Sequence, residues 1–239
     1  MFLLFLYQGK GEYGKMSEYS VHEPMTAHLE MKLERTVKAL QSNRMDACWV
    51  KTKEEALEKV RALLPKGALT ASGGSMTLDE CGITALLRSG GYDYLDRAAV
   101  QPEEIPELFH RSFYADCYLM SSNAVTEQGE LYNVDGNGNR VAALIYGPKS
   151  VIVVAGANKI VPDIPAAIKR VRCLAAPVNA MRLHQETPCT KTGICAGIKG
   201  ELAAGCKAEQ RICCSYVVSG YQRTPNRIHV ILVAENLGY

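Results

Sequence analysis

Five stretches of this chain carry residue types that can do chemistry, and four of them follow an apolar run. The first is Ser72-Gly73-Gly74-Ser75-Met76-Thr77. Paired glycines let backbone N–H groups approach an anion, and a helix start behind them adds partial positive charge. Gly73 and Gly74 would supply the backbone, and Ser75 and Thr77 the hydroxyl donors. The alternative is a tight turn whose Ser and Thr only cap the helix, because the stretch matches neither a Walker loop nor a dinucleotide fingerprint. The second is Asn123-Ala124-Val125-Thr126-Glu127-Gln128-Gly129. Ligands of open α/β sheets bind at strand ends. Glu127 there could serve as nucleophile, base or hydrogen-bond acceptor, with Asn123 and Thr126 beside it. A solvated loop carboxylate is the plain alternative.

The third stretch is Asp135-Gly136-Asn137-Gly138-Asn139-Arg140. Its glycines and asparagines make a strong turn. Asn137 and Asn139 offer amides, Asn139 can cap a helix, and Arg140 can grip a carboxylate or phosphate bidentately. The alternative is a hairpin turn followed by a surface arginine. The fourth is Gly156-Ala157-Asn158-Lys159, where Lys159 supplies a point positive charge or is simply an exposed loop lysine.

The fifth is a cysteine run: Cys189, Cys195, Cys206, Cys213 and Cys214, with intervals of five, ten and six residues before the adjacent pair. No C-x-x-C pair occurs, so zinc-ribbon and ferredoxin spacings fail. Iron–sulfur or zinc binding requires Cys189, Cys195, Cys206 and Cys213 to converge across loops, with His184 as the nearest histidine. Redox exchange or plain packing is the alternative.

These stretches need a scaffold, and the hydrophobic pattern supplies one. Leu29, Leu33, Val37 and Leu40 form one stripe of a helix over 26–41. Apolar strand segments at 48–50, 68–71, 92–95 and 117–120 alternate with helical segments at 53–64, 77–87 and 102–114. Thr52 with Glu55 reads as a capping box for the second helix. Alternation at this spacing predicts a parallel sheet covered on both faces. A polar loop over 123–129, a short strand at 131–134 and a turn at 135–138 break the rhythm. Val151-Ile152-Val153-Val154-Ala155 then reads as a strand buried on both faces. Helices over 162–174 and 179–184, an irregular segment over 187–214, and strands at 215–218 and 228–233 complete the chain.

Composition narrows the function classes. The 239 residues are 47% hydrophobic and 22% charged, which is globular composition, and a net charge of +2 gives no footprint for nucleic acid. No stretch is long enough to span a bilayer. The apolar opening Met1–Tyr7 lacks a positive n-region and a cleavage site, so it does not read as a signal peptide. Residues 1–24 are expected to be a loose extension, with one domain over 25–239. Of nine cysteines, Cys48, Cys81, Cys117 and Cys173 sit in apolar segments as small hydrophobes. A reducing cytoplasm is the expected setting. A homodimer is the generic expectation.

Several of these stretches, in their order, resemble the LUD (lactate-utilisation) family, in particular its stand-alone forms with a C-terminal cysteine segment. The resemblance covers about residues 25–239. It rests on 72–78, 123–129, 133–142, Tyr146-Gly147-Pro148-Lys149, Asn158-Lys159-Ile160-Val161 and Ala176-Pro177-Val178-Asn179-Ala180. Thr187-Pro188-Cys189, Arg211-Ile212-Cys213 and Glu235-Asn236-Leu237-Gly238-Tyr239 complete it. It implies an α/β fold like that of the sugar-phosphate isomerase and CoA-transferase superfamily, with ligands at strand ends. It also implies a pathway that oxidises lactate to pyruvate beside iron–sulfur partner subunits. Thr126-Glu127-Gln128-Gly129 is similar to the glutamate motif of some CoA transferases, which implies acyl chemistry at Glu127. This chain departs from the family's cysteine pattern, which usually keeps two residues between the second and third cysteines. Here Ala196–Gly205 separates them.

Three functions follow as expectations. One is an enzyme subunit that holds a small anionic metabolite with Gly73, Gly74, Ser75, Asn123, Asn139, Arg140 and Lys159, beside Glu127. Another is a non-catalytic redox-complex subunit that uses the cysteines for metal or partner binding. The last is a ligand sensor that keeps the pocket without the chemistry.

Overall fold

A computed structural model describes residues 22–239. The expected extension over 1–24 therefore falls mainly outside the described residues, and its last three residues belong to the first helix. The helices are α1 (His22–Ser42), α2 (Lys53–Leu63), α3 (Met76–Glu80), α4 (Ile83–Leu87), α5 (Ile105–Arg111), α6 (Asn139–Tyr146), α7 (Ile164–Arg170), α8 (Ala176–Arg182) and α9 (Pro188–Thr192). The strands are β1 (Asp46–Val50), β2 (Leu69–Ser72), β3 (Asp93–Leu95), β4 (Cys117–Met120), β5 (Ala124–Thr126), β6 (Leu131–Asp135), β7 (Ser150–Gly156), β8 (Ile160–Val161), β9 (Ser215–Ser219) and β10 (Ile228–Val233).

Six strands form one sheet in the order β1-β10-β7-β4-β2-β3, and every neighbouring pair is parallel. Its central strands are apolar at consecutive positions because both faces are covered. Val151, Val153 and Ala155 point with Tyr118, Met120, Val230 and Leu232 toward Leu33, Val37 and Leu40 of α1 and Ala143 and Leu144 of α6. Ile152 and Val154 point with Cys117, Leu119, Ile231 and Val233 toward Ala56 and Val60 of α2 and Leu78, Ile83, Leu86 and Leu87 of α3 and α4. Each fully buried Val, Ile or Leu contributes about 1.5–3 kcal/mol relative to exposure.

A second sheet, β8-β5-β6-β9, stands beside the first. It pairs β5 antiparallel to β6, and β6 antiparallel to β9. The 123–129 stretch, expected to be a loop, contains β5, whose three residues are all buried. Helices α7 and α8, expected as separate elements, join through a π-helical turn over Val171–Ala175 into one run. That run covers the second sheet with Ala167, Val171 and Ala176 against Ala124, Tyr132, Val134 and Val161.

Local signals explain several element starts. The Thr52 side chain accepts from Glu55 N–H and caps α2, but the Glu55 carboxylate accepts from Lys51 N–H, one residue before the expected box. The cap of α3 is Ser75, which accepts from Leu78 N–H; Thr77 lies inside that helix. The expected helix over 77–87 is split at Gly82, whose φ of +70° ends one turn and opens the next. Gly138, with φ +82°, rather than Asn139, caps α6. Cys173, expected as a buried hydrophobe, is exposed on the π-helical turn.

Candidate anion site at the strand ends

Parallel strands deliver their following loops to one edge of the sheet. Here the edge holds Ser72–Gly74 after β2, Arg97 after β3, Ser121–Asn123 after β4, Lys159 after β7 and Gly238 after β10. These loops, with Asp135–Asn137 after β6, line one cavity of about 470 Å³. That volume lies within the ~300–1,000 Å³ typical of small-molecule sites. Five basic side chains line it (Arg97, Arg140, Lys159, Arg182 and Arg211), against the acidic Asp135 and Glu209. The imbalance favours an anionic guest.

Lys159 is the least expected of these cations, because it is only 4% exposed. Its Nζ donates to Thr77 Oγ1 at 2.7 Å and to Ser121 Oγ at 2.9 Å. An ammonium has three donors, so one remains for a ligand. Burial pulls its pKa from 10.5 down to about 7; Arg170 adds repulsion, Glu80 offsets part of it, and Arg140 adds a smaller repulsion. Near neutrality such an amine can hold a carboxylate as a cation, pass a proton, or attack a carbonyl in its neutral form. Asn158 fixes the wall over it by pairing reciprocally with the chain end. Its amide donates to Gly238 O, and its carbonyl oxygen accepts from Leu237 N–H.

Arg140 differs from its expected role. All five of its N–H donors meet protein acceptors. Nε donates to Asp135 Oδ2, Nη1 to Ser121 O and Asn133 Oδ1, and Nη2 to Asn123 Oδ1 and Val134 O. It therefore positions the cavity wall and contributes charge, but has no donor left for a bidentate grip. Asp135 is held in turn, accepting from Gly138 N–H at 2.7 Å. Gly73 is required by this packing, since a Cβ there would stand 2.8 Å from Arg140 Cδ.

The free cation is one that the residue patterns did not single out. Arg97 makes no hydrogen bond or ion pair among the described residues, and a Cβ on Gly74 would stand 2.5 Å from its Nη2. Its position just past the end of β3 was the available signal.

Of the remaining expected ligand residues, Gly73, Gly74, Ser75, Asn123, Asn137 and Asn139 line the cavity. Thr77 is buried behind it as the partner of Lys159. Thr126 and Glu127 are elsewhere. Thr126 Oγ1 donates to Glu130. Glu127 lies beyond the far end of β5 from Asn123, where its carboxylate meets Arg35 at 3.2 Å and Lys32 at 3.9 Å. The turn around it lies against α1, where a Cβ on Gly129 would collide with the Ala39 backbone. Glu127 thus does not reach the cavity that holds Lys159.

The cysteine segment builds the opposite wall through Glu209, Gln210, Arg211 and Ile212. Behind that wall, Cys189, Cys195, Cys206 and Cys213 line a second cavity of about 20 Å³. Burial pushes the Cys213 thiol up to about 12, with Cys195 and Cys189 adding to it. His184 is exposed and lines neither cavity. Among the described residues no group of three His, Cys, Asp or Glu side chains is disposed to hold a single metal ion. Among the same residues no helix is long and apolar enough to cross a membrane.

The family model described as the LUD domain matches residues 33–233. The curated proteins gave no match. Among solved structures, a DUF162 family protein from Deinococcus radiodurans is 15% identical over 87% of this chain and 98% of that chain, with a TM-score of 0.47. Ribose 5 phosphate isomerase A from Neisseria gonorrhoeae is 17% identical over 47% of this chain and 54% of that chain, with a TM-score of 0.30.

Proposed function

This chain belongs to the LUD domain family, and from that premise we propose that it binds a small anionic metabolite of lactate oxidation in the strand-end cavity. The reading rests on one observation above the others: Lys159 is buried at the cavity with two hydroxyl partners and one donor to spare. Burying a lysine costs several kcal/mol unless something compensates it, and a bound carboxylate is such a compensation. In this reading Lys159 and Arg97 meet the carboxylate, and Arg140 holds the wall. The Asn123 amide nitrogen, which has no protein acceptor among the described residues, meets a hydroxyl or carbonyl oxygen.

Acyl transfer at Glu127 is less well supported, because that carboxylate is separated from the cavity by the length of β5. The family premise also suggests iron–sulfur partner subunits; the cysteine usage suggests a reducing cytoplasmic setting, and the generic expectation of a homodimer is tested by sedimentation of the purified chain. The ligand reading is tested by thermal unfolding with L-lactate, pyruvate, glycolate, inorganic phosphate and coenzyme A. Ligands that bind only the native state raise its melting temperature by mass action. A shift with a 2-hydroxy or 2-oxo acid that is absent in Lys159→Met supports the reading. No shift with any of the five rejects it.

A further inference from the structure

We infer that the cysteine segment holds an iron–sulfur cluster, ligated by Cys189, Cys195, Cys206 and Cys213, in the wall of the anion cavity. The inference goes beyond the ligand reading and does not depend on it. Four thiols separated by up to 24 residues of sequence line one small cavity, and no carboxylate or imidazole lines it with them. An all-sulfur donor set selects soft metals and iron–sulfur clusters. A single zinc would draw its four thiolates to about 2.3 Å from one point. Here the four thiols line a shared space among small and apolar neighbours, Ala176, Ala196, Gly205 and Ile212.

The ten-residue insertion would separate Cys195 from Cys206 if it ran free. It is folded back on itself instead. The buried Arg172 guanidinium collects the carbonyls of Gly200, Glu201, Leu202 and Ala204. Gly197 lies so close to Ala204 that a Cβ would collide with its carbonyl. Ala196 and Gly205, the two ends of the insertion, consequently both reach the thiol cavity. Arg211 fixes the other half, donating to the carbonyls of Cys206 and Cys213.

The sulfurs also have the outer partners that a cluster uses. Gly197 N–H donates to Cys195 Sγ at 3.3 Å, and the Thr187 hydroxyl lies 3.2 Å from Cys189 Sγ. Hydrogen bonds to sulfur and a nearby cation stabilise cluster charge and tune its potential. Arg211 and Ile212 line both cavities, so a cluster here would be a one-electron centre next to the bound anion. Cys214 is exposed and lies outside the thiol cavity, and so does Cys173.

The test uses the full chain, purified anaerobically and incubated with ferrous iron, sulfide and dithiothreitol, then desalted. Iron, acid-labile sulfide and visible absorption are measured, followed by electron paramagnetic resonance after dithionite reduction. The expected result is about two or four irons per chain with matching sulfide. Each of Cys189→Ser, Cys195→Ser, Cys206→Ser and Cys213→Ser is expected to retain less than about a tenth of that iron. Cys173→Ser and Cys214→Ser, which alter exposed thiols, are expected to retain all of it. So is Arg97→Met, which weakens the anion site and separates failure of one reading from failure of the other. Circular dichroism of each variant before reconstitution shows whether the serine variants fold. If they do not, iron and sulfide on the wild-type chain, with their spectrum, decide alone. Iron that washes out of the wild-type chain, or stoichiometric zinc that iron and sulfide do not replace, overturns the inference.

Discussion

Lys159 Nζ lies 2.7 Å from the Thr77 hydroxyl, joining the turn after β7 to helix α3 across 82 residues of the chain. The contact exists because β2 and β7 are both parallel members of one sheet, so the segments after them meet at the same edge. It also puts a cation where water is scarce, and that has a thermodynamic consequence.

Lys159 binds its proton less tightly in the folded state than in the unfolded chain, with a pKa of about 7 against 10.5. Between those values the unfolded chain holds more protons, so stability rises with pH across that window. Below about pH 7 the cost of the buried charge is fully present. Lys159→Met removes it, and stability at pH 7 is expected to rise by about 2–4 kcal/mol. Urea unfolding of both proteins at pH 6 and pH 9 checks this, and the gap should narrow at the higher pH.

Anion affinity should move the opposite way. The ammonium form attracts a carboxylate and the neutral amine does not. Affinity is therefore expected to be highest below about pH 7 and to fall by up to tenfold per unit above it. Calorimetric titrations from pH 6 to pH 9 measure the slope.

Arg140 and Arg97 should separate by experiment although both line the cavity. Arg140→Met takes a donor from five acceptors and leaves the buried Asp135 carboxylate without its cation, and is expected to cost about 3–5 kcal/mol of stability. Arg97 has no protein partner among the described residues, so Arg97→Met should leave stability within about 0.5 kcal/mol. Loss of its hydrogen bond to a ligand should weaken binding by about 1–2 kcal/mol. Denaturant unfolding and titration of the two variants give both numbers.

Gly73→Ala brings a Cβ against Arg140 Cδ and within 3.3 Å of the Tyr118 hydroxyl. Overpacking of this kind costs about 1–3 kcal/mol. Glu127→Gln removes only partly exposed ion pairs, worth at most about 1 kcal/mol, and should leave ligand binding unchanged. A Glu127→Gln protein that folds normally but no longer binds would return Glu127 to the site.

The parallel sheet was legible because its strands are short apolar runs between capped helices. Gly73, Gly74 and Lys159 were legible because strand ends are where such residues are useful. The second sheet was not, because Ala124–Thr126 is too short for alternation to register and sits among polar residues. The helical run over 164–182 was split because Pro177 and a π-helical turn interrupt its period. Arg140 carried no mark of being fully engaged, since its acceptors Asn123, between β4 and β5, and Asn133, in β6, are brought to it only by the fold. Arg97 carried no motif, and only its place after β3 distinguishes it.

The most direct test of Lys159 as the anion's partner is proton uptake on binding. Pyruvate and L-lactate would be titrated calorimetrically at pH 8 in two buffers of different ionisation enthalpy. Saturable binding that takes up a large fraction of one proton, with the uptake abolished in Lys159→Met, is the predicted result. Binding without proton uptake, or uptake unchanged in Lys159→Met, would contradict it.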